Sequence, residues 1–254
     1  MLTKNILDTE IWREIQNKGY VIIRNFFPQP ELLAYWNAID LLAEAFAKGI
    51  GLHLSEFDDL LPDERDRKFV RIIKNRPDLQ PVLYDRLQMI PELLALPSHQ
   101  RFQKLAQELL KTKSIGVWPR MQVRLDLCGD EKNVIRWHHD YLYNKGTSNS
   151  YTFWMPMVSI TKEMGTLLLA ERSHKLKLRD EIFERVEVNR RFLYNLKEET
   201  LKQLEYWQPE SFSAGDLVIF HSLLVHSGML NTMQDRARMT VLFRMQNLEK
   251  LEAY

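Results

Sequence analysis

Two side chains able to hold a metal ion, His138 and Asp140, lie two positions apart in the segment Arg136–Tyr141. Side chains two positions apart in a β-strand lie on the same face, so this imidazole and this carboxylate could bind adjacent positions on one ion. On such a strand His139 would point the other way. An H-x-D pattern is short enough to occur by chance, so the interpretation requires a third ligand from elsewhere in the chain.

Two histidines further along the chain are candidates for that third ligand. His221 ends the apolar segment 217–221, and an odd number of positions separates it from His226, so a regular strand would place the two on opposite faces. Two histidines and one carboxylate, with three positions left open, form the arrangement that non-haem Fe(II) oxygenases use. An all-oxygen set would suit Mg²⁺ or Ca²⁺, and four closed nitrogen or sulfur ligands would indicate structural zinc.

The order of motifs in this half of the chain resembles the phytanoyl-CoA dioxygenase family of Fe(II)/2-oxoglutarate-dependent oxygenases. The segment WHHDY at 137–141 is similar to the family's W-H-Q-D, with His139 in place of the usual glutamine, and Arg172 stands where the family usually has glycine before Ser-His. The other segments that carry the resemblance are TFWMPM at 152–157, MGTL at 164–167 with SHK at 173–175, and GDLVIFH at 215–221 with HSG at 226–228, Asn231 and Arg238. A strand and helix that follow Gly19 are also similar to the family's opening, so the resemblance covers nearly the whole chain.

The resemblance implies a site with assigned roles. Fe(II) would be held by His138, Asp140 and His226, the catalytic ligands, with 2-oxoglutarate and O2 in the open positions. An arginine would bind the far carboxylate of 2-oxoglutarate through two charge-assisted hydrogen bonds, and Arg238 is preferred to Arg236 because the strand that follows it matches the family pattern. The remaining predicted contacts are Trp154, Gln122 and Thr166 for 2-oxoglutarate, and Arg124, Trp137, Tyr141 and Tyr143 for the substrate.

The presence of Asp140 bears on the expected reaction. Related halogenases replace this ligand with a small residue, so an intact aspartate favours hydroxylation or oxidative dealkylation of a small-molecule metabolite, with natural-product biosynthesis as one setting. Two other functions stay open: a cupin-like metal enzyme that needs no 2-oxoglutarate, and a non-catalytic member of the fold that binds a ligand. The sequence does not predict the substrate, the position oxidised, desaturation, the pathway or the oligomeric state.

Helices are predicted for most of residues 1–115, the layer that would pack on the site-bearing half. Asp8 or Thr9 can cap a helix that ends at Gly19, and a β-branched and aromatic strand follows over 20–26. Prolines then introduce a helix over about 31–48, and a helical region covers about 78–113 with breaks at Pro91 and Pro97. The charged run 63–68 is read as a solvated face or loop.

Short strands dominate residues 116–254. They are predicted at 120–127, 150–158, 166–170, 216–221 and 238–245, with a helical insertion at about 177–206. The fold class is therefore mainly β with flanking helices: a double-stranded β-helix, that is, a jelly-roll or cupin-like core, with a helical N-terminal layer. With no repeat or flexible linker in the sequence, residues 1–254 are predicted to form a single domain.

Composition excludes several classes of protein. The 254 residues are 45% hydrophobic and 27% charged, which is ordinary for a globular protein with a hydrophobic core. A net charge of +1 argues against nucleic acid as a partner, and no sequence window suits a signal peptide or a membrane span. The single cysteine, Cys128, indicates a reducing compartment, so a cytoplasmic protein acting on a small molecule is expected.

Overall fold

The computed structural model describes residues 10–57, 60–119, 121–144, 146–176, 182–188 and 191–250. Helices occupy most of the first half of this range and strands most of the second. The helices are α1 Glu10–Lys18, α2 Gln29–Gly49, α3 Asp66–Asn75, α4 Gln80–Leu87, α5 Pro91–Ala95, α6 Gln100–Leu110 and α7 Glu198–Leu201. In the described ranges, no helix is long and apolar enough to cross a membrane.

The strands form antiparallel sheets. Their bounds are β1 Tyr20–Ile23, β2 Ile115–Val117, β3 Gln122–Asp126, β4 Ser150–Pro156, β5 Ile160–Thr161, β6 Leu167–Ala170, β7 Phe183–Val188, β8 Arg191–Leu196, β9 Tyr206–Trp207, β10 Ser211–Phe212, β11 Leu217–His221, β12 His226–Gly228 and β13 Arg238–Asn247. The larger sheet has the order β1-β11-β4-β13-β2, and β3 also pairs with β13; the smaller groups are β12-β6-β9, β10-β5 and the hairpin β7-β8. This architecture confirms the predicted jelly-roll core with a helical N-terminal layer.

The helical layer covers one face of the larger sheet. Helix α2 buries residues spaced three or four apart, among them Trp36 and Ile39, as an amphipathic helix on a sheet should. The Trp36 indole donates a 2.7 Å hydrogen bond to the Met157 carbonyl at the end of β4, which fixes the helix to the sheet. Phe102 of α6 packs edge-on against Phe243 of β13, with ring centroids 4.9 Å apart.

Strand β13 separates the core from the interior of the jelly roll. Its odd-numbered residues, such as Val241 and Phe243, are fully buried beneath the helices. Its even-numbered residues, from Arg238 to Arg244, face the opposite side and line a cavity. One strand thus contributes both to the hydrophobic core and to the candidate site.

The predicted helical insertion at about 177–206 is wrong. The described residues of this segment form the hairpin β7-β8, followed by the one-turn helix α7. Phe183 and Leu196 pair across the hairpin and are both buried against Leu142 and Val225 of the jelly roll. Valine and aromatic side chains between charged residues favour a strand here, because they pack on a pleated surface while the charges face water.

The prediction of a solvated face or loop for the charged run 63–68 is wrong for Asp66 and Lys68, which are buried. The run forms a 3₁₀ turn, Pro62–Glu64, and the start of α3. Asp66 is fully buried and accepts hydrogen bonds from the Arg236 guanidinium at 2.9 Å and from the Ala237 N–H at 2.7 Å. A buried carboxylate is retained here because charged and backbone donors from the segment before β13 satisfy it.

Candidate metal centre and its cavity

Three side chains able to bind a metal converge between the sheets. His138, Asp140 and His226 are all buried, and each offers one ligand atom within 4.8 Å of the others. Asp140 Oδ1 lies 3.7 Å from His138 Nε2 and 4.0 Å from His226 Nε2. The set holds two imidazoles and one carboxylate, which is the ligand type predicted from the sequence.

Backbone pairing brings the two histidines together. The His138 N–H donates to the His226 carbonyl at 3.0 Å, and the His226 N–H donates back to the His138 carbonyl at 2.8 Å. Each ring places Nδ1 beside the carbonyl two residues earlier, 2.6 Å from Arg136 O and 3.0 Å from Leu224 O. An Nδ1–H that donates to a carbonyl leaves Nε2 with its lone pair free, as a metal ligand requires.

The backbone at Asp140 has a different conformation from the predicted one. The predicted strand through H-x-D is replaced by the bridge at His138 and a 3₁₀ turn, Asp140–Leu142. Side chains of the larger sheet hold the carboxylate instead: Arg244 donates from Nε to Oδ2 at 3.0 Å and from Nη2 to Oδ1 at 2.8 Å. The Thr152 hydroxyl also donates to Oδ2. The carboxylate therefore has a defined orientation.

Burial and neighbouring charges set the protonation of the site. Burial alone would raise the pKa of Asp140, but Arg244 and the two imidazoles outweigh it and hold that pKa well below its ordinary value. Burial, helped by His138, lowers the pKa of His226 to about 3. At neutral pH the aspartate is therefore ionised and His226 is neutral, so neither group has to lose a proton to bind a cation.

The other two histidines considered for the site lie elsewhere. His139 points away from the triad, with its ring 4.8 Å from that of Phe183. His221 ends β11 and packs 5.6 Å from His174 and 5.3 Å from Tyr151. The structure therefore favours His226 over His221 as the third candidate ligand.

A narrow cavity of about 50 Å³ extends from the triad. The apolar part of its wall consists of Ile135, Trp154, Leu167, Phe220, Leu242 and Gly228. Polar and charged side chains complete the wall: Gln122, Arg124, His138, Asp140, His226, Arg238, Thr240 and Arg244. Of the residues predicted to contact 2-oxoglutarate or substrate, Gln122, Arg124, Trp154 and Arg238 thus lie at the cavity.

The two arginines considered as 2-oxoglutarate anchors lie in different parts of the structure. Arg236 pairs with Asp66 beside α3. Arg238 faces the cavity, where Nε and Nη2 donate to Asp126 Oδ2 at 3.0 and 2.9 Å and Nη1 donates to the carbonyls of Gly165 and Met229. Guanidinium has five N–H groups, so these four bonds leave one on Nη2 for an anion in the cavity. The bidentate fork expected from the sequence is directed at Asp126 instead.

Three predicted site residues are not part of the cavity wall as described. The Thr166 hydroxyl donates to the Pro209 carbonyl at 2.8 Å and accepts from the Gln208 amide at 3.1 Å, so its proton is already engaged within the protein. Trp137 packs on Tyr206 with ring centroids 5.0 Å apart. The ring centroid of Tyr141 lies 6.5 Å from that of His139.

Tyr143 is also absent from the residues of the cavity wall, but it contacts the triad. Its ring stands edge-on to His138, with centroids 5.4 Å apart. Its hydroxyl accepts a 2.8 Å hydrogen bond from the Tyr194 N–H of β8, and burial raises its pKa to about 12. Tyr143 therefore joins the hairpin to a candidate metal ligand, and its contact with substrate stays a prediction.

The sequence reasoning missed Arg244, Thr152 and Asp126. Arg244 follows Arg238 by an even number of positions on one strand, so strand parity could have placed both in the cavity. Asp126 follows Arg124 by two positions on β3, and the same rule predicts that these opposite charges are neighbours. Thr152 could not be found in this way, since the pairing that places it opposite Arg244 joins strands that are distant in sequence.

Comparison with protein families identifies the chain. A family model described as phytanoyl-CoA dioxygenase (PhyH) matches residues 15–239, which include all three candidate ligands and Arg238. The chain belongs to the phytanoyl-CoA dioxygenase family. This membership confirms the resemblance seen in the sequence.

Solved structures share the fold of this PhyH family member. The epimerase SnoN, in complex with Fe3+, alpha ketoglutarate and nogalamycin RO, is 15% identical with a TM-score of 0.60, over 93% of this chain and 82% of its own. The carbocyclase SnoK from nogalamycin biosynthesis is 20% identical with a TM-score of 0.60, over 94% and 84%. EctD from S. alaskensis, with 2-oxoglutarate and 5-hydroxyectoine, is 14% identical with a TM-score of 0.64, over 99% and 80%. At these identities the likeness shows the fold alone.

Proposed function

We propose that the chain is an Fe(II)- and 2-oxoglutarate-dependent oxygenase that hydroxylates or oxidatively dealkylates a small organic molecule. The observation that carries the proposal is the buried triad His138, Asp140 and His226 at the end of a cavity, within a chain of the PhyH family. Structures of the same fold hold iron and 2-oxoglutarate or act as epimerase and carbocyclase, which supports the cofactors more strongly than the reaction.

The donor set fits ferrous iron. Two imidazole nitrogens and one carboxylate oxygen suit a borderline cation and leave positions for other ligands, whereas an all-oxygen site would suit Mg²⁺. The ionised aspartate and neutral His226 are ready to bind at neutral pH. Nδ1 of each histidine is engaged by its own chain, so Nε2 is the donor atom on both rings.

Residues beside the triad suit an anionic co-substrate. Arg238 would bind the far carboxylate of 2-oxoglutarate through its remaining Nη2 N–H, with Gln122 and Trp154 lining the same cavity. Burial alone would raise the pKa of Asp126, but Arg124 and Arg238 keep it below its ordinary value. The carboxylate of Asp126 therefore stays charged and orients the Arg238 side chain.

The protein would contribute to catalysis by positioning the reacting groups and by excluding water from the cavity. Bound iron and 2-oxoglutarate supply the oxidising chemistry. Phe220, Leu167 and Leu242 line the cavity with apolar surface, which keeps water from the reacting groups and strengthens the charge interactions there. The substrate would be an organic molecule small enough for the open cavity, with natural-product biosynthesis as one setting. Cys128, the single cysteine, suits a reducing compartment such as the cytoplasm.

The first test is an anaerobic titration with Fe(II) and then 2-oxoglutarate. We expect the weak visible charge-transfer band of the chelate only when both are present, and its loss in His226→Ala, because one of three donors is gone. Metal binding without a band would favour the cupin-like enzyme that needs no 2-oxoglutarate. Absence of metal binding by the wild-type protein would exclude the proposed enzyme and leave the ligand-binding alternative.

A pair of arginine variants tests the assignment of the 2-oxoglutarate anchor. Arg238→Ala removes the cavity guanidinium, whereas Arg236→Ala removes a comparable ion pair beside α3. We expect the 2-oxoglutarate concentration that half-saturates the chelate band to rise at least about 10-fold in Arg238→Ala, because a charged hydrogen bond is worth roughly 1.5–3 kcal/mol. An unchanged requirement in Arg238→Ala, or a larger effect of Arg236→Ala, would refute the assignment.

A further inference from the structure

The backbone around Asp140 does not by itself orient the carboxylate. His138 is fixed by paired hydrogen bonds to His226, but Asp140 lies beyond that bridge in a 3₁₀ turn. The Tyr141 N–H donates to the Ser222 carbonyl at 3.1 Å and holds the turn against the chain that follows β11. The carboxylate itself is contacted by side chains from two strands of the larger sheet.

Those side chains are Arg244 of β13 and Thr152 of β4, which are direct partners in the antiparallel register. Partners in a ladder project from the same face, so guanidinium and hydroxyl reach the carboxylate side by side. Two hydrogen bonds from the Arg244 guanidinium go to the Asp140 carboxylate. Since the Arg244 side chain is only 12% exposed, water cannot replace this fork at little cost.

The two oxygens of the Asp140 carboxylate have different hydrogen-bond partners. Oδ2 accepts from both the Thr152 hydroxyl and Arg244 Nε, whereas Oδ1 accepts one bond, from Arg244 Nη2. Oδ1 is also the oxygen that lies 3.7 Å from His138 Nε2 and 4.0 Å from His226 Nε2. Oδ1 therefore lies near both imidazoles with spare acceptor capacity, whereas Oδ2 already accepts two hydrogen bonds.

We propose that Arg244 is a positioning residue that, with Thr152, sets Asp140 for coordination through Oδ1 alone. A carboxylate that binds through one oxygen takes one coordination position, and two histidines take two more, so three stay free for co-substrate and O2. Partners that orient a metal ligand contribute to affinity because the site pays less ordering cost when the ion arrives. The inference rests on the proposed function, since it concerns the same triad.

The test uses Co(II) as the metal probe, with no 2-oxoglutarate, and compares two matched variants. Arg244→Met and Arg236→Met each remove a guanidinium that is 12% exposed and forks onto a buried aspartate, but Arg236 lies outside the cavity. The Co(II) dissociation constant, the Co(II) visible spectrum and the Tm of the metal-free protein are measured for each. We expect both variants to lower Tm, and only Arg244→Met to weaken Co(II) binding, by about 10- to 100-fold. Its Co(II) spectrum should also change as Oδ2 becomes free to coordinate.

Two milder variants keep the proposal testable if Arg244→Met does not fold. Arg244→Lys keeps the charge without the fork, and Thr152→Val removes only the hydroxyl; both should bind Co(II) more weakly than wild type, with Arg244→Lys stronger than Arg244→Met where both fold. Unchanged or tighter Co(II) binding in the folded Arg244 variants would overturn the proposal, because the guanidinium would then be neutral or repulsive toward the ion. If wild type binds no Co(II), the proposed function fails as well; if wild type binds and the variants match it, only this inference fails.

Discussion

The candidate ligands differ in what holds each side chain in place. Both histidines use the carbonyl two residues earlier in their own segment, Arg136 for His138 and Leu224 for His226. The aspartate depends on Arg244 and Thr152, which are distant in sequence. A histidine substitution should therefore remove one donor with little further change, whereas the aspartate can be weakened without being replaced.

Adjacent histidines allow a direct test of which one binds the metal. We expect His138→Ala to abolish Fe(II) binding and His139→Ala to retain it, because the His139 ring packs against Phe183 on the far side of the segment. Anaerobic Fe(II) titration of both variants is the measurement. Loss of iron in His139→Ala, with a far-ultraviolet circular dichroism spectrum like that of wild type, would contradict the assignment.

At the level of elements, strand β13 decides the geometry of the cavity. Arg238, Thr240 and Leu242 face it together with Arg244, and the paired strands β3 and β4 add Gln122 and Trp154 beside Leu242. Strand alternation predicts His138 and Asp140 on one face, although Asp140 lies in a 3₁₀ turn, whereas Arg238 is expected from the family resemblance. The pairing of Thr152 with Arg244 depends on the register between distant strands, which a single sequence does not encode in any local pattern.

The wrong predictions share a cause. The segment predicted as a helical insertion and the run predicted as solvated are both rich in charged residues. In each case packing against distant parts of the chain decides the structure: Phe183 and Leu196 bury against the jelly roll, and Asp66 is buried by Arg236. Local propensity is weaker than such tertiary contacts.

The turn before β11 gives a prediction about an element boundary. Gly215 has φ +83°, its N–H donates to the Pro156 carbonyl at 2.9 Å, and an added Cβ would overlap the Phe27 carbonyl oxygen. We expect Gly215→Ala to lower the free energy of unfolding by more than about 2 kcal/mol, since backbone strain and a clash with main chain add. Urea denaturation measures this change.

A second glycine provides the control for that experiment. Gly129 has φ +71°, but an added Cβ would meet no atom within 4 Å. Gly129→Ala should therefore cost only the left-handed strain, about 1–2 kcal/mol. Equal losses in the two variants would show that the approach of Phe27 to Gly215 contributes nothing.

The whole molecule has a net charge of +1. Some of its ionisable groups lie in the interior, where they are paired or neutral. Asp66, Asp126 and Asp140 each face an arginine. Burial lowers the pKa of His221 to about 4, with nearby His174 and His139 adding to the effect. Acid sensitivity of the fold should therefore begin with histidines, at a higher pH than carboxylates would set.

The metal-free protein should lose stability as pH falls from about 6.5 to about 4, and His221 should contribute a measurable share. Its folded pKa of about 4 lies below the ordinary value of about 6.5, so in this window the unfolded chain binds a proton that the folded chain does not. The stabilisation is complete above about pH 6.5, and by about pH 5 up to about 2 kcal/mol of it is lost. In the folded protein the Leu223 N–H donates to His221 Nδ1 at 3.1 Å, an acceptor that protonation would remove and that a glutamine oxygen could replace. The contribution is measured by urea denaturation of wild type and His221→Gln at about pH 6.5 and about pH 5. The loss of unfolding free energy between these pH values should be smaller in the variant by up to about 2 kcal/mol. An unchanged loss would show that His221 does not set the acid sensitivity.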